Sequence, residues 1–401
     1  MRAVICGAGI AGLTQAWWLE RSGWDVTVIE IGPRLRNEGY MIDFFGPGYD
    51  AAEAMGLIPA LRDVAYPVPE VRWVRPDGTV ACRIDYERFS RLQGGRLLSL
   101  MRPDLEQVLA SAVVDRCEMR FGISIDAVTL REDGVDVRYT DGSTQQADLL
   151  VGADGIHSRV RDLVFGPEQR YLRYLGFHTA AHILRDDELY GRLDGSFQII
   201  RTPGRQAGCY PLRDGRIAAF YAHVTGHGVL PDDRRATLRE VYAGMGPTME
   251  RVAARCPDSH DVYYDQVAQI EMPAWHLQRV VLVGDACGSV SLLAGQGASM
   301  AMAGPAVLAD ELRRADDVGT ALGAYEARVR PIVEAKQAAG RATAKWFIPA
   351  TRVTLALRDL TVRLADHRWS AFLLRPTLTS PGDDLAVSPP QETSSTSLPR
   401  T

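Results

Sequence analysis

The sequence predicts an α/β fold: a Rossmann-like nucleotide-binding domain made in two parts, a mainly-β domain inserted between them, and C-terminal helices. Three observations predict it. Strand, glycine-rich turn, helix, strand and acid follow one another from Arg2 to Glu30. Residues 171–275 alternate apolar and polar positions, with turn residues between the runs. Residues 280–283 then form a late, β-branched apolar run that ends in Gly284-Asp285, where open α/β sheets bind ligands.

Residues 2–6 read as a strand. Gly7-Ala8-Gly9-Ile10-Ala11-Gly12 turns into a helix ending near Arg21, and residues 25–29 form a second strand closed by Glu30. Gly7 permits the tight turn, Gly9 lets the backbone approach a pyrophosphate, and Gly12 lets helix and strand pack closely. Glu30 is placed to accept from an adenosine ribose hydroxyl. Residues 34–58 are a glycine-broken loop and then a helix; Asp43, among Met41, Ile42, Phe44 and Phe45, reads on its own as a capping or turn residue. Residues 70–75 and 79–85 read as a hairpin about Pro76-Asp77-Gly78. Arg102 stands just before a helix and reads alone as a solvated surface arginine.

Residues 123–131, 135–140 and 145–151 alternate and predict a β-meander on the nucleotide domain. It runs into a second glycine turn, Gly152-Ala153-Asp154-Gly155, followed by His157, Ser158, Arg159, Val160 and Arg161. His157 alone reads as a surface or capping residue, and Arg159 and Arg161 as an exposed helix face. The inserted region predicts strands at 177–184, 196–201, 207–213, 217–224 and 261–271, with a helix near 231–242. After Gly295-Gln296-Gly297, helices are expected at 298–314, 319–337 and about 351–369. The expected division is 1–170 and 276–345 for the nucleotide domain, 171–275 for the insert, 346–375 for a C-terminal helix and 376–401 for a Pro/Ser/Thr-rich disordered tail.

The chain has 401 residues, 46% hydrophobic and 24% charged, with a formal net charge of -5, a balance that does not point to a nucleic-acid partner. Lysine occurs only at Lys336 and Lys345. Cys6, Cys82, Cys117, Cys209, Cys256 and Cys287 form no C-x-x-C pair, so reduced thiols and no metal site are expected. No uninterrupted apolar run reaches membrane-spanning length, and a strand starting at Arg2 leaves no room for a signal peptide, so a cytoplasmic location is expected.

Three motifs thus occur in order: Gly7 to Gly12 with Glu30, Asp154-Gly155 with Ser158, Val160 and Arg161, and Gly284-Asp285 with Gly295-Gln296-Gly297. From Arg2 to about Arg330 the chain resembles the p-hydroxybenzoate-hydroxylase-like, class A FAD-dependent monooxygenases, which include aromatic hydroxylases, polyketide-tailoring oxygenases and tetracycline-inactivating enzymes. The resemblance implies a GR2-type FAD domain. It implies FAD contacts from Gly7, Ala8, Gly9, Ile10, Ala11, Gly12 and Glu30, with Arg36 substituting for the frequent arginine after the acid. It further implies contacts from Asp43, Arg102, Asp154, Gly155, Gly284 and Asp285, and from Gly295, Gly297 and Ala298 near the flavin ring. A long cofactor fits this division, since an acid at Glu30 fixes only its adenosine end, and a crossover at residues 280–285 packed beside the first strand is expected to supply the contact at the far end.

The activity implied is hydroxylation of an aromatic or polyketide-like small molecule with NAD(P)H and O2, through a flavin C4a-hydroperoxide. Tyr210, Tyr221 and His223, on predicted strands of the insert, are the catalytic candidates. The chain departs from the family at Cys287-Gly288, where an aromatic or histidine is frequent, and at Leu292, where proline is frequent. Two other readings stay open: an FAD-dependent reductase of an isoprenoid-like double bond, and a non-catalytic FAD-holding accessory protein. A flavin halogenase is disfavoured, because only Trp346-Phe347-Ile348-Pro349 resembles its tryptophan motif.

Overall fold

A computed structural model describes residues 1–35, 39–291, 295–349, 351, 353–355, 385, 387 and 388. Its centre is a six-stranded sheet ordered His276–Leu277, Val280–Leu282, Leu149–Gly152, Arg2–Cys6, Asp25–Glu30, Glu118–Phe121. Every pairing in it is parallel except that of the short His276–Leu277 edge strand. Ala3, Val4 and Ile5 are fully buried, as are Leu149, Leu150 and Val151, because helices cover both faces of such a sheet. The chain leaves Arg2–Cys6 for Asp25–Glu30 on one side and returns later to Leu149–Gly152 on the other. The order therefore reverses beside Arg2–Cys6, which makes a crevice at the carboxyl ends of these strands.

Two expectations change here. Residues 145–151 are not one meander strand. Thr144–Ala147 pairs antiparallel with Val135–Tyr139, whereas Leu149–Gly152 enters the parallel sheet. Asp148 makes the break: its carboxylate accepts from the Arg2 N–H at 2.6 Å, and its own N–H donates to the Arg2 carbonyl. The change from alternation to a continuous apolar run marks the same point. Consequently Val280–Leu282 pairs with Leu149–Gly152 and lies one strand away from Arg2–Cys6, not beside it.

The second large sheet has seven strands, ordered Tyr263–Ile270, Leu172–Arg185, Arg216–Val224, Arg205–Pro211, Phe197–Thr202, Glu70–Val74, Val80–Asp85. The early hairpin completes it by pairing parallel with Phe197–Thr202. One face packs under the Arg234–Val241 and Pro247–Ala254 helices through Tyr221, Ala219, Tyr264, Leu238 and Met249. The other face turns toward the nucleotide domain, with Phe177, Ala222 and Val267 against Ala344 and Ile348, and Tyr210 and Ala218 against Met101.

The Val318–Phe347 helix runs ten residues past its expected end at 337. Gly340 lies inside it, where a Cβ would stand 3.4 Å from Gln269 Nε2 and 3.5 Å from the Val290 carbonyl. Those are ordinary contact distances, so the glycine is not demanded by packing, and it does not end the helix. The expected helix at 351–369 and tail at 376–401 lie almost wholly outside the described residues. Among the described residues no helix is long and apolar enough to cross a membrane.

Candidate cofactor and active site

The first glycine turn is shaped by packing. Gly7 has φ +107°, and a Cβ on it would stand 2.5 Å from the Ala153 carbonyl oxygen. A Cβ on Gly12 would stand 1.9 Å from the Gly7 carbonyl oxygen. Around Gly9 there is room, since its nearest neighbour would be Glu106 Oε1 at 3.8 Å. The Ile10–Arg21 helix has no side-chain cap at Gly9, which leaves its first N–H groups for an anion. Ile10 and Ala11 bury their side chains in the core beneath this turn. Glu30 is held by backbone donors, Ala8 N and Gly32 N, each at 2.9 Å. Those bonds leave acceptor capacity on the carboxylate for a ribose hydroxyl. Arg36 lies outside the described residues.

The second motif is tied into the fold by its own hydrogen bonds. The Asp154 carboxylate accepts from Ser158 Oγ at 2.6 Å, Arg159 N at 2.7 Å and Val160 N at 3.0 Å, stapling the start of the Arg159–Val164 helix. Gly155, at φ +79°, makes the turn before it. Arg161 is fully buried, not exposed, and donates to Ile156 O at 2.6 Å, Glu168 Oε2 at 2.9 Å and Ala286 O at 3.0 Å. It therefore bolts the second motif to the third. His157 is exposed, as the surface reading expects, and it also lies 3.0 Å from Glu168 and 3.4 Å from Asp265 of the seven-stranded sheet. Asp265 first, then Glu168, outweigh partial burial and raise its pKa to about 9.

At the third motif Gly284 has φ +60°, and a Cβ there would stand 2.8 Å from Ala11 Cβ and 3.9 Å from Ala301 Cβ. The Gly-Asp turn thus sits against the first turns of both the Ile10–Arg21 and Gly297–Arg314 helices. Neither helix has a side-chain cap, so two positive helix ends converge on the crevice. Gly295, at φ +63°, and Gly297 have no atom within 4 Å of where a Cβ would be, and half-buried Ala298 follows them. Residues 292–294, including Leu292, lie outside the described residues.

Arg102 and Asp285 share this space. Burial opposes the Arg102 charge, but Glu106 first, then Tyr40, Tyr263 and Asp285, outweigh it and raise its pKa. Its Nε donates to Glu106 Oε1 at 3.1 Å. The Asp285 carboxyl is raised by burial, while Arg102 and a hydrogen bond from Ser289 pull it down. Asp43 is a mid-strand residue of Met41–Phe45, not a cap; it accepts from the Tyr86 hydroxyl and from Ser99 Oγ. One side of Asp43 opens to solvent, and the protein around the rest raises its pKa against those two hydrogen bonds. Packed glycines at Gly7 and Gly12, open ones at Gly9, Gly295 and Gly297, and carboxylates at Glu30 and Asp285 fit a long dinucleotide such as FAD.

The three catalytic candidates divide between the two faces of the sheet. Tyr210 faces the nucleotide domain; its hydroxyl accepts from Met41 N and lies 3.5 Å from Met101 Sδ. Tyr221 and His223 do not reach the crevice. Tyr221 is fully buried under the helices with its hydroxyl 2.9 Å from His182 Nε2, and His223 Nδ1 lies 3.1 Å from the Tyr242 hydroxyl on the same face. Their strand neighbour Phe220 points the other way, toward Tyr40. The rings of Phe220 and Tyr263 each lie 5.9 Å from that of Tyr40, which gives the crevice an aromatic wall. Sequence reasoning missed this wall because alternation shows that two faces exist without showing which one is covered by helices.

Fold and crevice together define an FAD-binding oxidoreductase. The chain belongs to the family described as FAD binding domain, whose family model matches residues 1–338. It is 29% identical over 86% of its length to a flavin-dependent monooxygenase of an unknown prokaryotic organism, covering 90% of that protein. The crystal structure of tetracycline destructase Tet(55) superposes with a TM-score of 0.79 at 26% identity, covering 94% of this chain and 96% of the other. A point variant of Klebsiella pneumoniae HpxO, complexed with FAD, gives a TM-score of 0.78 at 25% identity, covering 95% and 99%. The protein is accordingly an enzyme of the FAD-dependent monooxygenase class.

Proposed function

We propose that this protein uses NAD(P)H and O2 to hydroxylate an aromatic or polyketide-like small molecule held between the crevice and the seven-stranded sheet. NAD(P)H supplies two electrons, one oxygen atom enters the substrate, and the other leaves as water. FAD, when bound, supplies the electron transfer and oxygen chemistry. The observation that carries the reading is the convergence of two uncapped helix ends and the Gly284-Asp285 turn opposite the Tyr40, Phe220 and Tyr263 wall.

In this reading the Gly7 to Gly12 turn binds the pyrophosphate, Glu30 the adenosine ribose, and Asp285 the hydroxyls of the cofactor's sugar-like chain. Gly297 and Ala298 amides, at a helix N-terminus, favour negative charge on the ring. Arg102 and Asp43 border the same space. Asp154 and Gly155 act on the cofactor through the shape of the turn they hold. The aromatic wall orients a planar substrate and excludes water, and Tyr210 locks strand Met41–Phe45 to the sheet behind it.

The test is a screen of planar phenolic compounds for stimulated NAD(P)H oxidation, with products followed by mass. A stimulating compound that gains one oxygen atom supports the reading. Turnover that proceeds without O2 would instead favour reduction of an unsaturated substrate. An FAD-loaded protein whose NAD(P)H oxidation is accelerated by no compound would favour the accessory role.

A further inference from the structure

We propose that Lys336 is a positioning residue for the flavin end of the cofactor site, holding the Gly295-Gln296-Gly297 turn through its ammonium–Gln296 hydrogen bond. The inference rests on the FAD reading above. Lys336 is only 7% exposed, near the middle of the Val318–Phe347 helix. Burying an ammonium is costly unless it is paired. Here Nζ donates to Gln296 Oε1 at 2.6 Å. In a chain whose 45 basic residues include lysine only at 336 and 345, a buried lysine at this place calls for a specific cause.

The turn needs holding. Glycines on both sides of Gln296 leave it without side-chain packing, since a Cβ at either would meet nothing within 4 Å. Gln296 occupies the N-cap position of the Gly297–Arg314 helix, yet its side chain makes no capping bond and reaches for Lys336 instead. The segment leading to the turn is gripped from the same helix. Gln337 Nε2 donates to Ser289 O at 3.0 Å and to Ile270 O at 2.8 Å. Gln269 Nε2, whose partner oxygen accepts from Arg341, donates to Val290 O at 3.3 Å. Val333 packs so closely on Gly288 that a Cβ there would stand 2.8 Å from its Cγ1. Lys336 thus ends a row of contacts by which one helix holds Gly288, Ser289 and Val290 on one side of the turn and Gln296 on the other.

Lysine suits the task, because its compact ammonium on a flexible stem reaches the Gln296 amide oxygen from the helix without the wider, planar partner that a guanidinium demands. Its charge also adds to the positive end of the Gly297–Arg314 helix, so it favours an electron-rich, reduced ring. Two properties should therefore depend on it: retention of FAD, and the potential at which bound FAD is reduced.

The test compares Lys336→Met, Gln296→Ala and the double variant as FAD-loaded, full-length proteins. FAD dissociation is read by flavin fluorescence and the midpoint potential by dye-coupled reduction. Each single variant is expected to bind FAD about tenfold more weakly, the scale of one charge-assisted hydrogen bond. Lys336→Met is also expected to lower the midpoint by about 30 mV, the equivalent of a tenfold weaker preference for the reduced form. Because both act through one tether, the double variant should be no worse than Lys336→Met, and Lys336→Arg should recover the potential more than the affinity. Wild-type affinity and potential in Lys336→Met, or losses that add in the double variant, overturn the proposal. If Lys336→Met does not fold, unchanged FAD affinity in Gln296→Ala overturns it. A wild-type protein that takes up no FAD contradicts the cofactor reading itself, a different result from a variant that equals an FAD-loaded wild type.

Discussion

Two aspartates that look alike in their glycine turns stand in different surroundings. Asp154 spends its oxygens on Ser158, Arg159 and Val160, so it shapes a loop. Asp285 stands at the crevice with Arg102 beside it. Asp285→Ala should weaken FAD binding by roughly tenfold to a hundredfold, the range of one or two charge-assisted hydrogen bonds. Asp154→Ala should chiefly lower the thermal midpoint and still fill with FAD at saturation. Calorimetry together with FAD retention through gel filtration separates the two; a fully loaded Asp285→Ala protein would contradict the placement. The adjacent pair Phe220 and Tyr221 makes a similar contrast. Phe220→Ala should impair substrate-stimulated NAD(P)H oxidation. Tyr221→Phe should leave kcat alone and cost about 1–3 kcal/mol, because His182 Nε2 loses its partner in the core. Denaturant titrations and steady-state rates on both variants check this.

At the scale of elements, the helix-covered face of the seven-stranded sheet is a titratable layer. Burial pushes His182 and His223 down to about 4, His223 also through its neighbour His178. His178 is lowered by burial and by His227, with Asp265 opposing. The Tyr221, Tyr242 and Tyr264 hydroxyls are the partners facing these rings. A histidine whose folded pKa lies below its unfolded value stabilises the fold above about 6.5, and that stability is lost as pH falls toward 4. With about 1.4 kcal/mol per unit, His182 and His223 together represent several kcal/mol. Urea midpoints should fall steeply between pH 6.5 and 4, and His223→Gln should flatten the fall; a flat wild-type profile there would contradict the layer. His157 has the opposite sign. Its pKa is raised to about 9, so its link to Asp265 is present below 6.5 and is lost as pH rises through 9. Half-exposed, it contributes little to stability, and its effect should appear in activity.

Across the whole molecule, what is legible in the sequence follows from what each signal encodes. The Gly7 to Gly12 turn can be read because tight packing admits only glycine at Gly7 and Gly12. The late Gly284-Asp285 turn is legible as a strand end, but its distance from the first strand is not. That distance depends on Leu149–Gly152 leaving the meander at Asp148, a bond between residues 146 positions apart. Arg161 reads as exposed because helix periodicity does not reveal that a guanidinium crosses to Ala286. Tyr221 and His223 read as crevice residues because strand alternation has two phases, and only the helices over one face choose between them. Lys336 is visible only as a rarity of composition until the long helix brings it to Gln296.

The central claim is that three motifs, far apart in sequence, close one FAD site around the strand-order reversal. The most direct measurement is the absorption spectrum of the purified protein with FAD titrated into any unloaded fraction, followed by release on denaturation. The account predicts a yellow protein with a flavin spectrum that binds one FAD per chain and releases it unmodified. A colourless protein that takes up no added FAD would contradict it.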